Sequence, residues 1–159
     1  DNAYGNYPWE GYKALADGTH DPRSGGVINW MWNDCYKGIG RANVVLDNYE
    51  KVPNLNDNFK KSVRGESLFL RAYFYFRLTE FYGGVPLVLS SPKIEDGQLP
   101  RETKENVVKQ IIADLDEAAS LLPATQSEVG KATKGAAKAL KARVLLYNEN
   151  WAGAAATVT

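Results

Sequence analysis

The residues best suited to ligand chemistry lie in one short run near the start of the chain. Two indole rings, two amides and a carboxylate occur within six positions, at Asn29, Trp30, Trp32, Asn33 and Asp34. A flat aromatic ring can pack on the apolar face of a sugar ring, while amides and carboxylates bind the sugar's hydroxyl groups. This mixture of side chains is therefore able to recognise a carbohydrate.

The two tryptophans of this run have different expected surroundings. Trp32 is in helical phase with Tyr36, which favours a place for its ring in the core. For Trp30, a binding role and a packing role both stay open. The preceding loop adds two polar side chains as plausible partners of a ligand. The candidate ligand-binding residues are Trp30, Asn33, Trp32, Arg23 and Asp21.

The remaining polar residues do not indicate enzyme chemistry. The chain has one histidine, His20, and one cysteine, Cys35, which exclude an intrachain disulfide framework and a thiolate-rich zinc site and disfavour a histidine-based triad. Asp114, Asp116 and Glu117 alternate faces of a predicted helix and are expected at a solvated edge, whereas glycoside hydrolysis needs two carboxylates across a cleft. We therefore expect no enzyme activity, no metal and no cofactor.

The charge balance excludes two further classes of partner. Lys and Arg total 19, and Asp and Glu also total 19, so the formal net charge is zero. A protein that binds nucleic acid through its phosphates needs an excess of basic residues, and so does a polybasic membrane anchor. No apolar run approaches the roughly 20 residues that cross a bilayer.

The elements that must position these residues fall into two segments. Residues 1–28 are rich in aromatic, Gly, Asn and Pro residues without a sustained period, which predicts an irregular segment. Its aromatic cluster of Tyr4, Tyr7, Trp9 and Tyr12 could line a ligand groove, although packing is the expected role. Residues 29–159 have helical periodicity, and the whole chain is expected to form a single helical domain.

Capping and stop signals delimit the predicted helices. They run from Asn29 to Pro53, from an N-cap at Asn56 or Asp57 to Phe81, from a cap at Thr103 to Pro123, and from a cap at Thr133 to Tyr147, with a fifth beginning at Trp151. A long loop is expected at residues 83–102, with an extended stretch at 85–89. These elements predict a mainly α fold of stacked antiparallel helix pairs, tetratricopeptide-like in architecture.

Other polar residues on the predicted helices are expected to have structural roles. Asn43 falls on a buried stripe, so its amide must find partners and is expected to tether a neighbouring loop. Glu66 and Arg71 lie on a helix that is apolar on most faces, which favours ion pairing with each other or with Arg77. Gly38 and Gly40 in the first helix predict the close approach of another backbone.

Four segments resemble the SusD/RagB family, in order and in spacing. They are WNDCYKGIGRANVVLDN (Trp32–Asn48), RGESLFLRAYFYFRLTEFYGGVPLV (Arg64–Val88), LPRETKENVVKQIIADLDEAASLLP (Leu99–Pro123) and GKATKGAAKALKARVLLYNENWAGA (Gly130–Ala154). The family is several times longer than this chain, so the chain is similar to the N-terminal helical part of a SusD-like α fold, truncated at the C-terminus.

The resemblance implies a function and a location. SusD-like proteins are glycan-binding lipoproteins of the outer membrane, exposed at the cell surface and paired with a SusC-like TonB-dependent transporter. Their glycan-binding arc includes a Trp and an Asn in this region, and Trp30 and Asn33 have a similar spacing. The implied ligand is an oligosaccharide or polysaccharide, and membrane contact is expected only through a lipid anchor that this chain does not contain.

Two alternatives stay open. RagB-like members of the family serve peptide uptake, and an anionic or extended polar groove would indicate such a ligand. A tetratricopeptide-like scaffold for protein interaction would bind no small ligand and is expected to expose no tryptophan.

Overall fold

A computed structural model describes residues 10–21 and 23–158. Among these residues there are six α-helices: α1 (Tyr12–Ala16), α2 (Val27–Asn48), α3 (Asp57–Tyr82), α4 (Lys104–Leu121), α5 (Lys134–Tyr147) and α6 (Trp151–Val158). Short 3-10 helices span Tyr49–Lys51 and Ile94–Gln98, and the described part of the chain has no strand. The predicted mainly α fold is confirmed, and the extended stretch predicted at residues 85–89 stays a prediction.

The chain divides into two compact units, Asp1–Lys37 and Gly38–Thr159. The first unit contains α1 and the beginning of α2. Tyr4, Tyr7 and Trp9 of the predicted aromatic cluster lie outside the described residues. The prediction of a single helical domain stays a prediction.

Side-chain caps start three of the helices where the sequence predicts them. The side chains of Asn56, Thr103 and Thr133 each accept a hydrogen bond from the amide three residues further on, at 2.8, 3.2 and 3.1 Å. Each cap satisfies an amide that has no partner within the helix, and replacing it with Ala costs about 1 kcal/mol. The predicted stop after α3 is also confirmed, because Gly83 follows it with a positive φ of 69°.

Successive helices of the second unit pack on one another, α3 on α4, α4 on α5 and α5 on α6. This order confirms the predicted stacking of helix pairs. The fully buried side chains at its centre include Tyr75 and Leu78 of α3, Ile111 and Leu115 of α4, and Val144 of α5. Gly65 lets α3 and α4 approach closely, since a Cβ at this position would lie 2.9 Å from the side chain of Leu122.

Gly38 and Gly40 are sites of close approach, but to side chains and not to the predicted backbone. A Cβ at Gly38 would lie 2.2 Å from the ring of Phe74, and a Cβ at Gly40 would lie 2.9 Å from the ring of Pro92. Glycine therefore makes a notch in α2 that admits the Phe74 ring. The rings of Phe74 and Pro92 occupy the space where a passing main chain was expected.

The structure differs from the sequence prediction near the chain start. Helix α2 begins at Val27, two residues before the predicted start, and α1 was not predicted. Helix α1 has five residues and no buried side chain, so it lacks the apolar period on which helix prediction depends.

Candidate functional site

The amino-terminal part of α2 presents Trp30 and Asn33 on one face. The indole of Trp30 is 49% exposed, and Asn33 is exposed three residues later, close to one helical turn away. Asp34 is also exposed and pairs with Lys37 at 3.4 Å. We call Trp30, Asn33 and Asp34 the Trp30 face, and it combines an accessible aromatic ring with an amide and a carboxylate.

Trp32 packs on a neighbouring ring, but it is only half-buried and is not one of the buried core residues among which its phase places it. Its ring centroid lies 5.0 Å from that of Tyr36, with the two planes tilted by 47°. This separation is within the range of favourable aromatic pairs. Trp30 is therefore the more exposed of the two rings.

Asp21 and Arg23 lie in the turn before α2, and both are exposed. The carboxylate of Asp21 accepts hydrogen bonds from the amide of Arg23 at 2.8 Å and from the hydroxyl of Ser24 at 3.2 Å. This is the local bonding by which an Asp side chain stabilises a turn. The structure thus gives the Asp21 carboxylate a turn-forming role, and its contact with a ligand stays a prediction.

Two glycines fix the chain just before α2. Gly11 and Gly26 have φ values of 77° and 67°, and a Cβ on Gly26 would lie 2.3 Å from the carbonyl oxygen of Glu10. A Cβ on Gly11 would likewise lie 2.9 Å from the carbonyl oxygen of Gly25. The two backbone segments therefore touch directly, and this contact holds the chain where α2, which carries Trp30, begins.

A second cluster of functional groups is buried in the other unit, around Arg71 of α3. Its guanidinium donates to both oxygens of Asp114 on α4, at 2.7 and 2.8 Å, and to the side-chain oxygen of Asn43 on α2 at 2.9 Å. It also lies 3.4 Å from the carbonyl oxygen of Leu89. Arg71 and Asp114 are 7% and 3% exposed, so they form a buried, bidentate ion pair. Its hydrogen bonds join two charged groups and are therefore stronger than those between neutral groups.

The prediction that Asp114 lies at a solvated edge is wrong. Asp114 follows Val107 and Ile111 at helical spacing, on the buried face of α4, and Arg71 and Gln110 supply the hydrogen bonds that its charge requires. The sequence signal was present in that spacing but was outweighed by the acidic side chain. Asp116, by contrast, is exposed as predicted, and the side chain of Glu117 is 42% exposed.

The predicted ion pairing on α3 exists with different partners. Arg71 pairs with Asp114, whereas Glu66 accepts a hydrogen bond from the hydroxyl of Ser62 at 3.0 Å. Arg77 lies over the ring of Tyr73, 5.8 Å from its centroid. The expected pairing of Glu66 with an arginine of its own helix is therefore wrong, because long-range contacts on α4 were not visible from the sequence.

Side chains of the helices also hold the irregular segment that follows α3. Asn43 donates to the carbonyl of Val88 at 2.8 Å, the kind of loop tether that its sequence position predicts. The Tyr75 hydroxyl binds the amide and the carbonyl of the same residue, at 2.7 and 3.0 Å. Burial raises the pKa of Tyr75 to about 12. The hydroxyl therefore stays protonated and can donate and accept at once.

Asp47 at the end of α2 binds the same segment further along. Its carboxylate accepts from the amide of Ser91 at 2.6 Å and from the Ser91 hydroxyl at 2.7 Å. Both bonds favour the charged form, and the amide bond is the main reason why the pKa of Asp47 lies below its ordinary value of 3.8.

A cavity of about 290 Å³ borders the buried cluster. Its charged lining groups are Asp47, Arg64, Arg71, Asp114 and Glu117. Arg64 pairs with Glu117 and Arg71 with Asp114, so these charges are directed at one another. Over residues 10–21 and 23–158, no group of three or more His, Cys, Asp or Glu side chains could hold a metal ion. None of the helices in this part of the chain is long and apolar enough to span a membrane.

Comparison with known proteins identifies relatives along most of the chain. A SusD-like family described as starch-binding and associating with the outer membrane matches residues 8–146. A SusD-like protein of Formosa agariphila is 26% identical over 152 residues, which are 92% of this chain and 28% of the relative. The chain therefore spans about a quarter of the length of that curated relative.

Solved structures agree in fold. A SusD-like protein from Bacteroides fragilis superposes with a TM-score of 0.82 at 30% identity, over 94% of this chain and 30% of the other. A laminarin-binding SusD-like protein superposes with a TM-score of 0.88 at 29% identity, over 97% of this chain and 33% of the other. SusD-like proteins bind carbohydrate and are non-catalytic. Since the family match extends over far more than half of the sequence, the chain belongs to the SusD-like family.

Proposed function

We propose that this chain is the helical, ligand-contacting part of a cell-surface glycan-binding protein that captures an oligosaccharide or polysaccharide. The captured glycan is delivered to a SusC-like TonB-dependent transporter in the outer membrane. The protein is held at the cell surface by a lipid anchor and changes no covalent bond of the glycan. Family membership supports this function, and so does the likeness to a laminarin-binding relative.

The observation that carries the proposal is the exposure of Trp30. A large aromatic side chain that is 49% exposed beside an exposed amide is well placed to stack on a sugar ring while Asn33 binds hydroxyl groups. Turn bonds around Asp21 and the contact between Gly11 and Gly26 support the chain that leads into this face. A preorganised face binds without first ordering its backbone.

The test is affinity electrophoresis of the chain through gels that contain single polysaccharides, with laminarin first. We expect one polysaccharide to retard the chain and Trp30→Ala to remove at least 90% of that retardation. Trp151→Ala is the matched control, because Trp151 is 64% exposed on α6, far along the sequence from the Trp30 face. It should migrate like the unsubstituted chain.

Circular dichroism of each variant separates loss of binding from loss of structure. Intact helices without retardation on any polysaccharide would overturn glycan capture by this chain. If Trp30→Ala is still retarded, the chain binds the glycan but does so at a site other than the Trp30 face. Binding of an extended peptide library in place of glycans would favour the RagB-like alternative.

The scaffold alternative is already disfavoured. It predicts that no tryptophan is exposed, whereas both Trp30 and Trp151 are exposed.

A further inference from the structure

The segment between α3 and α4 contains no α-helix, yet side chains bind its backbone along much of its length. The carbonyl of Gly84 accepts from Arg101, both backbone groups of Val88 bind Tyr75, and Ser91 binds Asp47. Backbone polar groups that leave water need such partners. Here α2 and α3 supply the partners of residues 88–91.

Arg71 joins this segment to three helices. The residue belongs to α3, and its guanidinium reaches Asp114 of α4, Asn43 of α2 and the carbonyl of Leu89. Asn43 in turn donates to Val88, so one amide side chain connects the guanidinium to the segment a second time. Two parts of the chain that are far apart in sequence thus complete the surroundings of one buried charge.

We propose that Arg71, Asp114, Asn43 and Tyr75 form a latch that makes residues 38–48 of α2 and residues 85–91 open and close as a single unit. If α2 moves away, the guanidinium loses Asn43 and Val88 loses one of its donors. If the segment moves away, Asn43 and Tyr75 lose the Val88 carbonyl that accepts from both of them, and Arg71 loses the carbonyl of Leu89. A buried polar group that loses its hydrogen-bond partner is costly, so each of the two parts is stabilised by the other.

If the latch exists, residues 38–48 and residues 85–91 unfold locally together. If the two regions were packed independently, each would unfold on its own. Locally unfolding units expose their amides together, with one shared opening equilibrium. If residues 38–48 and 85–91 were held separately, loosening the segment would leave hydrogen exchange in α2 unchanged. With the latch, loosening either one accelerates exchange in both by the same factor.

The experiment is native-state hydrogen exchange by mass spectrometry on the full chain and on Tyr75→Phe. This substitution removes only the hydroxyl that binds Val88. We expect exchange to accelerate at least about tenfold in residues 85–91, because both hydrogen bonds of the hydroxyl are lost, and by the same factor in residues 38–48. Arg64→Gln is the control, because Arg64 joins α3 to α4 through a more exposed pair with Glu117, and it should change neither region.

A second variant keeps the proposal testable if Tyr75→Phe does not fold. Gln110→Ala removes a hydrogen bond to Asp114 from within α4, and Gln110 belongs to neither of the two regions. It should accelerate both regions by a common, smaller factor. Factors that differ more than threefold between the two regions in the folded variant would overturn the latch, as would an equal response to Arg64→Gln.

Discussion

The Trp30 face and the latch are built from similar kinds of residue in opposite surroundings. Each contains an aromatic ring, an asparagine and an aspartate. On the Trp30 face these side chains are exposed to water, whereas in the latch Asn43 and Asp114 bind Arg71, and Tyr75 and Asn43 bind the backbone of Val88. Residue type therefore decides what a group can bind, and burial decides whether its partner is the protein itself or a ligand.

The difference has an energetic consequence. An exposed polar group loses little when it is truncated, because water replaces what was removed. A buried one leaves its partner without a hydrogen bond, which costs much more. Substitutions on the Trp30 face should therefore change binding and leave stability alone, and substitutions in the latch should change stability.

The largest expected effect is on stability, from Asp114→Ala. Removing one partner of a buried ion pair leaves Arg71 uncompensated and should lower the free energy of unfolding by about 3–5 kcal/mol. Urea denaturation followed by circular dichroism measures this loss. Asp116→Ala on the same helix is the control, since the Asp116 side chain is 55% exposed, and its loss should stay within about 1 kcal/mol. Equal losses of unfolding free energy in Asp114→Ala and Asp116→Ala would contradict the expected difference between buried and exposed carboxylates.

Two asparagines on one helix test the same contrast at a smaller scale. Asn43→Ala removes one hydrogen-bond partner from the Val88 carbonyl and one from the guanidinium of Arg71. It should lower the free energy of unfolding by about 2 kcal/mol. Asn33→Ala changes an exposed amide and should stay within about 0.5 kcal/mol. A cost for Asn33→Ala as high as that for Asn43→Ala would show that the Trp30 face is structural.

The tryptophans sharpen the comparison within α2. Trp30→Ala should weaken glycan binding at least tenfold, or about 1.4 kcal/mol, and shift the unfolding free energy by less than about 0.5 kcal/mol. Trp32→Ala should cost about 1–2 kcal/mol of stability, because its half-buried ring packs on Tyr36. Isothermal titration with the retained polysaccharide and urea denaturation measure the two quantities. If Trp32→Ala weakened binding and Trp30→Ala lowered stability, Trp32 would be the binding residue and Trp30 the packing residue.

The smallest effect is a pH dependence at Asp47. Its folded pKa is lowered by the bonds from Ser91, so their contribution is present above the ordinary pKa of 3.8 and is lost as pH falls through the folded value. The stability difference between the unsubstituted chain and Asp47→Asn should be constant from pH 7 to about pH 5 and shrink at lower pH. Denaturation at a series of pH values tests this, and a difference that grows on acidification would contradict it.

Local signals predicted much of the helical framework. Asn56, Thr103 and Thr133 were recognisable as caps because the stabilising contact is made to an amide only three residues away. Gly83 was recognisable as a stop because glycine readily adopts the positive φ that ends a helix. Such interactions are contained in a short window of sequence.

Long-range contacts were not predictable in the same way. Asp114 was assigned to a solvated edge because its partner, Arg71, is 43 positions away. The contact between the backbone at Glu10 and that at Gly26 was also missed, since a crossing of two chains has no periodic pattern. For the candidate site, helical phase already distinguished Trp32 from Trp30, and the structure added that Trp30 is exposed whereas Trp32 is half-buried.

The notch at Gly38 limits which helices could replace α2 in this chain. The Phe74 ring fits where a side chain on Gly38 would stand, so the two residues are a matched pair contributed by α2 and α3. A chimera that joins the α3 of this chain to an α2 with a larger residue at position 38 would place a side chain where the Phe74 ring lies, so both positions would have to be exchanged together.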